Sequence, residues 1–241
     1  MCIRDSARDV HDFWRPLDRR DALVDGKFSV TCYLDAVAGA YGEWRAEDER
    51  RGGGDPLVRC VYHVPYVKMA KKADRHRATL EGLDEAAAEA RFGPEVGASL
   101  AFAAEVGNVY TGSLYMAIAS LLHAEATVIE GSRIGLFSYG SGCGAEFFAA
   151  RVVPGAGAFA KALALDEPLR HRVRLAFDEY EAIRRADAAR TFAVDPTANV
   201  QDDRTAFLGV DEEQRRIYQR ARATADAPAT QARGARDDAA A

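Results

Sequence analysis

Apolar positions near the start of the chain recur at helical spacing and then give way to a short apolar run. Five of them occupy positions i, i+3, i+4, i+7 and i+11, which predicts an amphipathic helix. The polar stretch EWRAEDERRGGGD that follows is interpreted as a solvated exit and loop. The next segment, PLVRCVYHV, is short, rich in valine and bounded by proline and charge, so it predicts a buried strand. The five helical positions are Val30, Tyr33, Leu34, Val37 and Tyr41.

Two further helices are predicted downstream of this strand. A long helical region begins at Pro65, since a proline in the first helical turn loses no hydrogen bond. The segment NVYTGSLYMAIASLLHA is apolar nearly all round, which predicts a helix buried between layers of the fold. Strands that alternate with helices, one of them wholly apolar, indicate a layered α/β domain in which that helix is covered on both sides.

The C-terminal part combines a hairpin, further helix and a polar tail. RIGLFSYGSGCGAEFFAARVV predicts a strand, a tight glycine turn and a second strand. DEPLRHRVRLAFDEYEAIRRA is interpreted as helical, and TAFLGVDEEQRRIYQ as a last strand followed by a turn and an extended or helical end. The segment after Arg220 is rich in alanine and lacks large apolar residues, so we expect it to be disordered.

Composition and charge narrow the class of protein. A chain of 241 residues that is 48% hydrophobic can bury a substantial core, as one large domain or two small ones. The net charge of -5 argues against binding of nucleic acid or an anionic membrane through bulk charge. No run approaches the roughly 18 apolar residues of a membrane helix, and MCIRDSARDV lacks the apolar core of a secretory signal. We therefore expect a cytoplasmic protein.

Cysteines and histidines show no ligand spacing for a metal. The four cysteines contain no CxxC pair, so we predict reduced thiols and no zinc site. Cys32 and Cys60 lie in apolar contexts that favour burial, whereas Cys143 lies in the glycine-rich GSGCG. The remaining histidines, outside the predicted strand end, are scattered without acidic or cysteine partners; they are His11, His76, His123 and His171.

The stretch VYHVPYVKMAKKADRHR carries the candidate chemistry. His63 ends the predicted strand, where an imidazole can donate a hydrogen bond to an oxygen that gains negative charge. A single histidine at a strand end is more often structural, so the residues alone leave both interpretations open. Four basic side chains then share one helix face, where they could meet phosphate or could simply be solvated. They are Lys68, Lys71, Lys72 and Arg75.

Five separated stretches resemble, in order, the signature segments of hydroxymethylglutaryl-CoA synthases. They are DFWRP, VDGKFSVTCYLDA, YHVPYVKMAKKA, GNVYTGSLYMAIASLL and RIGLFSYGSG followed by GAEFF. Several matches in the right order are far more specific than one short motif. The resemblance covers residues 7–220 and implies a thiolase-like fold of two similar halves, of which this chain is similar to the C-terminal one.

The resemblance also implies an activity. Members of the family condense acetyl-CoA with acetoacetyl-CoA to give hydroxymethylglutaryl-CoA in isoprenoid precursor synthesis, the mevalonate pathway. A cysteine carries the acetyl group, a glutamate acts as general acid/base on its methyl carbon, and a histidine orients the acetoacetyl thioester. No cofactor is implied beyond the coenzyme A thioesters, which are substrates. The cysteine and glutamate belong to the N-terminal half, and nothing in this chain matches them.

The chain is therefore expected to be a fragment that is inactive alone, with the N-terminal half of the same enzyme as its partner. It begins where the second half of the family would begin, and the complete enzyme is expected to be a homodimer. Residues 1–6 match nothing in the family and are interpreted as a sequence artefact. Residues 7–220 form the domain, and residues 221–241 form the alanine-rich tail.

The resemblance assigns roles to six residues. His63, in YHVP, corresponds to the catalytic histidine of the family. On the predicted helix that follows, Lys68 and Lys72 are the expected contacts to coenzyme A. The substrate-binding positions are Asn108 in GNVY, Ser141 in SYGSG and Tyr180 in FDEYEAI. From the residues alone, Asn108 is equally a helix cap, Ser141 lacks an adjacent base and Tyr180 is equally a core aromatic.

Two other functions remain open at this point. Related synthases act in polyketide β-branching, where an acyl carrier protein tethers the acceptor, and the basic helix face does not discriminate because both carriers bring phosphate. A non-catalytic partner or dimerisation module would keep the fold without the nucleophile. The joint presence of His63, Asn108 and Ser141 disfavours that module, since a protein freed from catalysis has no need for all three.

Overall fold

A four-stranded mixed sheet organises the first of the two units into which the chain divides, residues 1–172 and 173–241. The structure is a computed structural model that describes residues 3–14, 22–140, 143–189, 205–210 and 216–220. Within the first unit the sheet has the order β1-β6-β5-β4, in which β4 and β5 are parallel and the other pairs are antiparallel.

The strands and helices follow one another in the predicted α/β pattern. The strands of the first unit are β1 (Ile3–Ala7), β2 (Phe13–Trp14), β3 (Leu23–Val24), β4 (Leu57–Tyr62), β5 (Arg133–Gly140) and β6 (Gly144–Arg151). Its helices are α1 (Gly26–Arg50), α2 (Val67–Leu80), α3 (Glu85–Val96), α4 (Ala101–Val106), α5 (Gly112–Ile129), α6 (Ala156–Ala162) and α7 (Asp166–Arg170). The second unit contains α8 (Phe177–Ala189), β7 (Thr205–Val210) and β8 (Arg216–Arg220).

Helix α1 is longer than the sequence pattern predicts. Asp25 caps its first turn by accepting hydrogen bonds from the backbone N–H groups of Lys27 and Phe28. The stretch EWRAEDER, predicted as a solvated exit, is helical as far as Arg50. The prediction was wrong because Trp44 in this stretch is buried against the aromatic ring of Phe147, with centroids 4.9 Å apart.

Strand β4 confirms the predicted strand. The helix after it begins two residues later than predicted. Cys60, Val61 and Tyr62 in β4 are buried, and β4 pairs with β5 in parallel register. Helix α2 begins at Val67 with Tyr66 as its N-cap, so Pro65 precedes the helix instead of occupying its first turn. The side chains of β4 and α2 thus belong to one continuous strand–turn–helix segment.

Helix α5 is only partly buried, where the sequence predicts cover on both sides. Leu114, Ala117 and Leu121 are buried, whereas Tyr115 is 72% exposed and Val128 is 75% exposed. The helix is also long and apolar enough to cross a membrane by length and composition, contrary to the expectation that no such run exists. It is 39% buried in the structure, and core helices of soluble proteins meet the same criterion.

The predicted hairpin is present, one predicted helix is interrupted, and the end of the last predicted strand segment is extended. Strands β5 and β6 pair antiparallel, with Cys143 in the left-handed region at φ 67° in the turn. The segment predicted to be helical throughout divides into α7, which ends at Arg170, and α8, which begins at Phe177. Strands β7 and β8 form an antiparallel hairpin, and the tail after Arg220 lies outside the described residues.

The core lies between the sheet and the helices that cover it. Its largest fully buried side chains are aromatic: Tyr33 from α1, Tyr62 from β4, Phe137 from β5 and Phe147 from β6. Strand β1, which includes part of the segment 1–6 that the sequence analysis interprets as an artefact, pairs with β6 from Ile3 opposite Phe148 to Ala7 opposite Gly144.

Candidate active site

A cavity of about 610 Å³ opens where β4 and β5 end. The two strands are parallel, so their carboxyl ends meet at one edge of the sheet, where ligands commonly bind in α/β folds. His63 follows β4, and Tyr139 and Gly140 end β5. Asp12 and Asn108 also line the cavity, so residues far apart in the sequence converge here.

His63 is held by its backbone on both sides and is nearly buried. Its N–H donates to the carbonyl oxygen of Phe137 at 2.8 Å, and its carbonyl oxygen accepts from the Tyr33 hydroxyl at 2.7 Å. Its side chain is 7% exposed, and this burial lowers the pKa of His63 from 6.5 to about 4. At neutral pH the imidazole is therefore uncharged, with one N–H to donate.

Asn108 lines the same cavity and orders the turn before α5. Its Oδ1 accepts hydrogen bonds from the backbone N–H of Tyr110 at 2.8 Å and from Ser113 Oγ at 3.3 Å. The N-cap of α5 is Thr111, so Asn108 is not the cap itself. Because its oxygen is already engaged, the amide Nδ2 is the group that remains for a ligand oxygen.

Two of the four basic side chains on α2 are engaged by α3. Lys71 Nζ lies 2.6 Å from Glu89 Oε1, and Arg75 Nη2 lies 2.7 Å from Glu85 Oε1. Lys68 and Lys72 are exposed and form no ion pair with any residue that the structure describes. The two lysines assigned to coenzyme A are thus the two whose charge is left for an anionic ligand.

The other two assigned residues are not among the described residues of the first unit. Ser141 lies outside the described residues, although its neighbour Gly140 lines the cavity. Tyr180 lies on α8 in the second unit and is 47% exposed. Its hydroxyl lies 3.5 Å from Arg184 on the same helix. The roles assigned to Ser141 and Tyr180 therefore stay predictions.

Sequence reasoning missed a buried pair at the cavity wall. The Tyr139 hydroxyl donates to Asp12 Oδ2 at 2.5 Å, and Asp12 is only 1% exposed. Burial and the bond to Asp12 raise the pKa of Tyr139 well above its usual value. The partners are 127 residues apart, so no local spacing signals the contact. Only the position of Asp12 in the family-like DFWRP could have suggested it.

Tyr110 forms part of the rim with an unusual backbone. Its φ is 53°, in the left-handed region, and its ring packs edge-on against Phe13 with centroids 5.9 Å apart. A bulky residue with positive φ is an outlier that costs free energy and often marks a functional site. The sequence carries no sign of this strain.

No described group of three or more His, Cys, Asp or Glu side chains is arranged to hold a metal ion. The described cysteines Cys32, Cys60 and Cys143 are buried and reduced. Burial raises the pKa of Cys60 to about 12, so this thiol stays protonated at neutral pH. The described lining of the cavity includes the neutral imidazole of His63, the amide of Asn108 and the Asp12–Tyr139 pair.

The C-terminal model of one enzyme family matches the chain over most of its length. The model is described as hydroxymethylglutaryl-coenzyme A synthase C terminal and matches residues 5–78 and 73–221. The hydroxymethylglutaryl-CoA synthase of Enterococcus faecalis is 35% identical over 198 residues, which are 81% of this chain and 49% of that protein. The human mitochondrial enzyme is 34% identical over 188 residues, 59% of this chain and 37% of that protein.

Solved structures agree in fold. MvaS in complex with 3-hydroxy-3-methylglutaryl coenzyme A matches with a TM-score of 0.75 and 36% identity, over 90% of this chain and 56% of that one. The curacin biosynthetic pathway HMG synthase in complex with apo donor-ACP matches with a TM-score of 0.78 and 27% identity, over 91% and 57%. The fold is thus the thiolase-like fold expected from the sequence, and the chain spans about half the length of these relatives. The chain belongs to the hydroxymethylglutaryl-CoA synthase family and corresponds to the C-terminal part of its members.

Proposed function

We propose that the chain supplies the C-terminal half of the active site of a synthase that condenses acetyl-CoA with acetoacetyl-CoA to give hydroxymethylglutaryl-CoA. The observation that carries the proposal is His63, a neutral and nearly buried imidazole at the wall of a 610 Å³ cavity that Asn108 also lines. Such a pair of uncharged donors suits a carbonyl oxygen that becomes negative during reaction.

The condensation forms one carbon–carbon bond. The methyl carbon of the acetyl group, after losing a proton to a base, attacks the ketone carbon of the acetoacetyl group, and the ketone oxygen becomes an alkoxide that takes up a proton. Water then hydrolyses the thioester that joins the product to the cysteine, which releases hydroxymethylglutaryl-CoA and the free thiol. His63 donates its N–H toward the acetoacetyl oxygens and so stabilises the developing charge. Asn108 Nδ2 supplies a second donor from the cavity lining. Neither residue has to change its charge at neutral pH.

Lys68 and Lys72 are proposed to bind the phosphates of coenzyme A. They lie one helical turn apart at the N-terminal end of α2, on the segment that also brings Tyr66 and Met69 to the cavity. A phosphate at this position meets two ammonium groups that no described carboxylate neutralises. Ser141 and Tyr180 are proposed as further substrate contacts on the family resemblance alone.

The N-terminal half of the same enzyme is proposed to supply the nucleophilic cysteine and the glutamate. The exposed apolar side chains of α5, among them Tyr115 and Val128, are part of the surface we expect that half to cover. Their burial by a similar half would give α5 the cover that the sequence predicts. The complete synthase is further proposed to be a homodimer.

A carrier protein is the alternative to free coenzyme A. The curacin synthase with a TM-score of 0.78 to this chain was solved in complex with apo donor-ACP, which favours a carrier protein on the donor side. A carrier protein on the acceptor side is proposed on the family resemblance alone. We place free coenzyme A first because MvaS with its coenzyme A product shares 36% of its residues with the chain, against 27% for the curacin enzyme.

The test combines this chain with a cysteine-bearing N-terminal half from the same source DNA. Radiolabelled acetyl-CoA is supplied first, and then acetoacetyl-CoA or an acetoacetylated carrier protein. The proposal predicts acyl-enzyme only with both halves present and product with acetoacetyl-CoA. Product with the carrier protein alone would support the β-branching function. Absence of product with either acceptor, from a folded complex, would support a non-catalytic module.

A further inference from the structure

Tyr62 immediately precedes His63 and points to the opposite side of β4. Successive side chains of a strand alternate between faces, so His63 faces the cavity while Tyr62 enters the core under α2. Tyr62 is fully buried, and its hydroxyl has two partners. It donates to Asp74 Oδ1 at 3.0 Å and accepts from Arg77 Nε at 2.9 Å. The strand residue next to the proposed catalytic imidazole is thus fixed to α2 by its side chain.

The hydroxyl joins a larger buried ion cluster, which we call the Arg77 cluster. Arg77 Nη2 lies 2.9 Å from Asp74 Oδ1 and 2.7 Å from Glu95 Oε2, and Arg77 Nη1 lies 3.0 Å from Glu81 Oε1. The Asp74 side chain is fully buried and that of Arg77 is 4% exposed. Its members are Tyr62, Asp74, Arg77, Glu81, Arg91 and Glu95.

Burying a cluster of charged side chains costs free energy of desolvation, so stability alone does not account for it. Paired charges in a protein interior often contribute no more than an apolar core of the same volume, and their better attested use is to select one arrangement. Here the cluster holds three elements together, because Tyr62 belongs to β4, Arg77 to α2 and Glu95 to α3. One network therefore links the strand that ends at His63 to the helix that carries Lys68 and Lys72.

We propose that Tyr62 is a positioning residue for His63, and that the Arg77 cluster acts through its hydroxyl to fix the end of β4. The catalytic part of this inference rests on the proposed function. The backbone N–H of His63 continues the β4–β5 ladder to Phe137, so a shift of Tyr62 moves the imidazole toward or away from the cavity. The hydroxyl sets how deeply the imidazole is buried and where its N–H is aimed.

Tyr62→Phe is the variant that isolates this hydroxyl. It keeps the buried ring, and the contact between Asp74 and Arg77 remains, so every charge of the cluster keeps a partner. Tyr41→Phe is the matched control, because the Tyr41 hydroxyl donates to Glu81 of the same cluster at 2.6 Å but comes from α1. Both variants retain the titratable groups that line the cavity with His63, namely Asp12, Tyr33, Tyr66, Tyr110 and Tyr139.

The first readout is the NMR titration of the His63 imidazole in the two-half complex described above, with only this chain isotope-labelled. Its signal is assigned among the five histidines of the chain by its loss in His63→Gln. Tyr62→Phe should raise the pKa of His63 by about 0.5 to 1, since a loosened strand end exposes the imidazole to water. Tyr41→Phe should leave it unchanged. An unchanged pKa in Tyr62→Phe, or equal rises in both variants, would overturn the inference.

The second readout is catalytic and uses the two-half complex described above. Tyr62→Phe should lower the rate of condensation about tenfold and leave cysteine acetylation unchanged, while Tyr41→Phe leaves both rates unchanged. Equal loss of both rates in Tyr62→Phe would show a merely structural role and overturn the inference. A shifted pKa in a complex without synthase activity would refute the proposed function alone. An active complex with an unshifted pKa would refute the positioning role alone.

Discussion

At the scale of single residues, His63 combines burial with a place at the cavity wall. An unperturbed histidine is about half protonated near pH 6.5, whereas burial gives His63 a pKa of about 4. A protonated imidazole would be costly to bury in this site. It would also place a permanent charge beside the substrate. The neutral imidazole keeps one N–H donor and carries no charge before the reaction begins.

This burial predicts how stability depends on pH. The folded chain holds His63 unprotonated down to a pKa of about 4, while the unfolded chain takes up the proton near 6.5. The unfolded state therefore binds more protons between these values, and the free energy of unfolding falls as the pH drops from 6.5 to 4. The contribution reaches about 3 kcal/mol below pH 4. Urea unfolding at several pH values should show this loss in the wild type, and His63→Gln should lack it. If the free energies of unfolding of the two proteins ran parallel against pH, the burial of a neutral His63 would be contradicted.

The Asp12–Tyr139 pair predicts a second residue-scale effect. Tyr139→Phe removes a buried hydrogen bond to a carboxyl group and should lower the free energy of unfolding by about 1 to 3 kcal/mol. Tyr110→Phe is the control, because Tyr110 is 62% exposed and should change stability by less than about 0.5 kcal/mol. Denaturant midpoints that shift equally in the two variants would contradict the structural importance of the pair.

At the scale of elements, α2 carries the proposed contacts to coenzyme A on one face and buried ion pairs on another. Lys71 is engaged by Glu89 and Arg75 by Glu85, so α3 decides which cations of α2 remain for a ligand. This division lies in tertiary contacts between two helices. The helical spacing of the four basic residues alone does not contain it.

The division predicts unequal effects of mutation along α2. Lys68→Ala or Lys72→Ala should weaken coenzyme A binding about three- to tenfold each, since each removes a charge next to phosphate. Lys71→Ala should change it less than twofold, because this side chain already has a carboxylate partner. Isothermal titration of the two-half complex measures these constants at low salt. Equal losses at all three positions would point to a diffuse positive surface instead of a defined site.

Elements that depend on local sequence signals could be predicted, whereas contacts between residues far apart in the sequence could not. Strand β4 and the β5–β6 hairpin were predictable because a valine-rich run and a glycine turn are local signals. The end of α1 was not, because Trp44 packs on Phe147, about a hundred residues later in the chain. His63 and Asn108 were assigned by family resemblance. The Asp12–Tyr139 pair and the Arg77 cluster depend on side chains that meet only after folding.

At the scale of the whole molecule, the chain spans about half the length of its relatives and exposes several large apolar side chains. Tyr115 and Val128 on α5 are more than two thirds exposed, and Phe159 on α6 is 64% exposed. Monomeric soluble proteins rarely expose contiguous apolar patches of large size. We expect the chain alone to associate in solution, and co-production with the proposed N-terminal half to suppress this.

Size-exclusion chromatography with light scattering measures that outcome. The chain alone should elute as heterogeneous aggregates, and the two halves together as one species of defined mass. Tyr115→Lys, which replaces an exposed apolar side chain of α5 by a charge, should make the chain alone more soluble and prevent the two halves from assembling. If the chain alone were a soluble monomer and did not bind the other half, the partner assignment would be contradicted.

The most direct measurement is a single-turnover experiment on the two-half complex with His63→Ala. Acetylation of the cysteine and condensation with acetoacetyl-CoA are followed separately after rapid mixing. We predict that acetylation keeps its rate while condensation falls by about 10²- to 10⁴-fold, because only the second step needs the imidazole donor. Equal loss of both steps, or condensation at the wild-type rate, would contradict the role of His63 and with it the proposed active site.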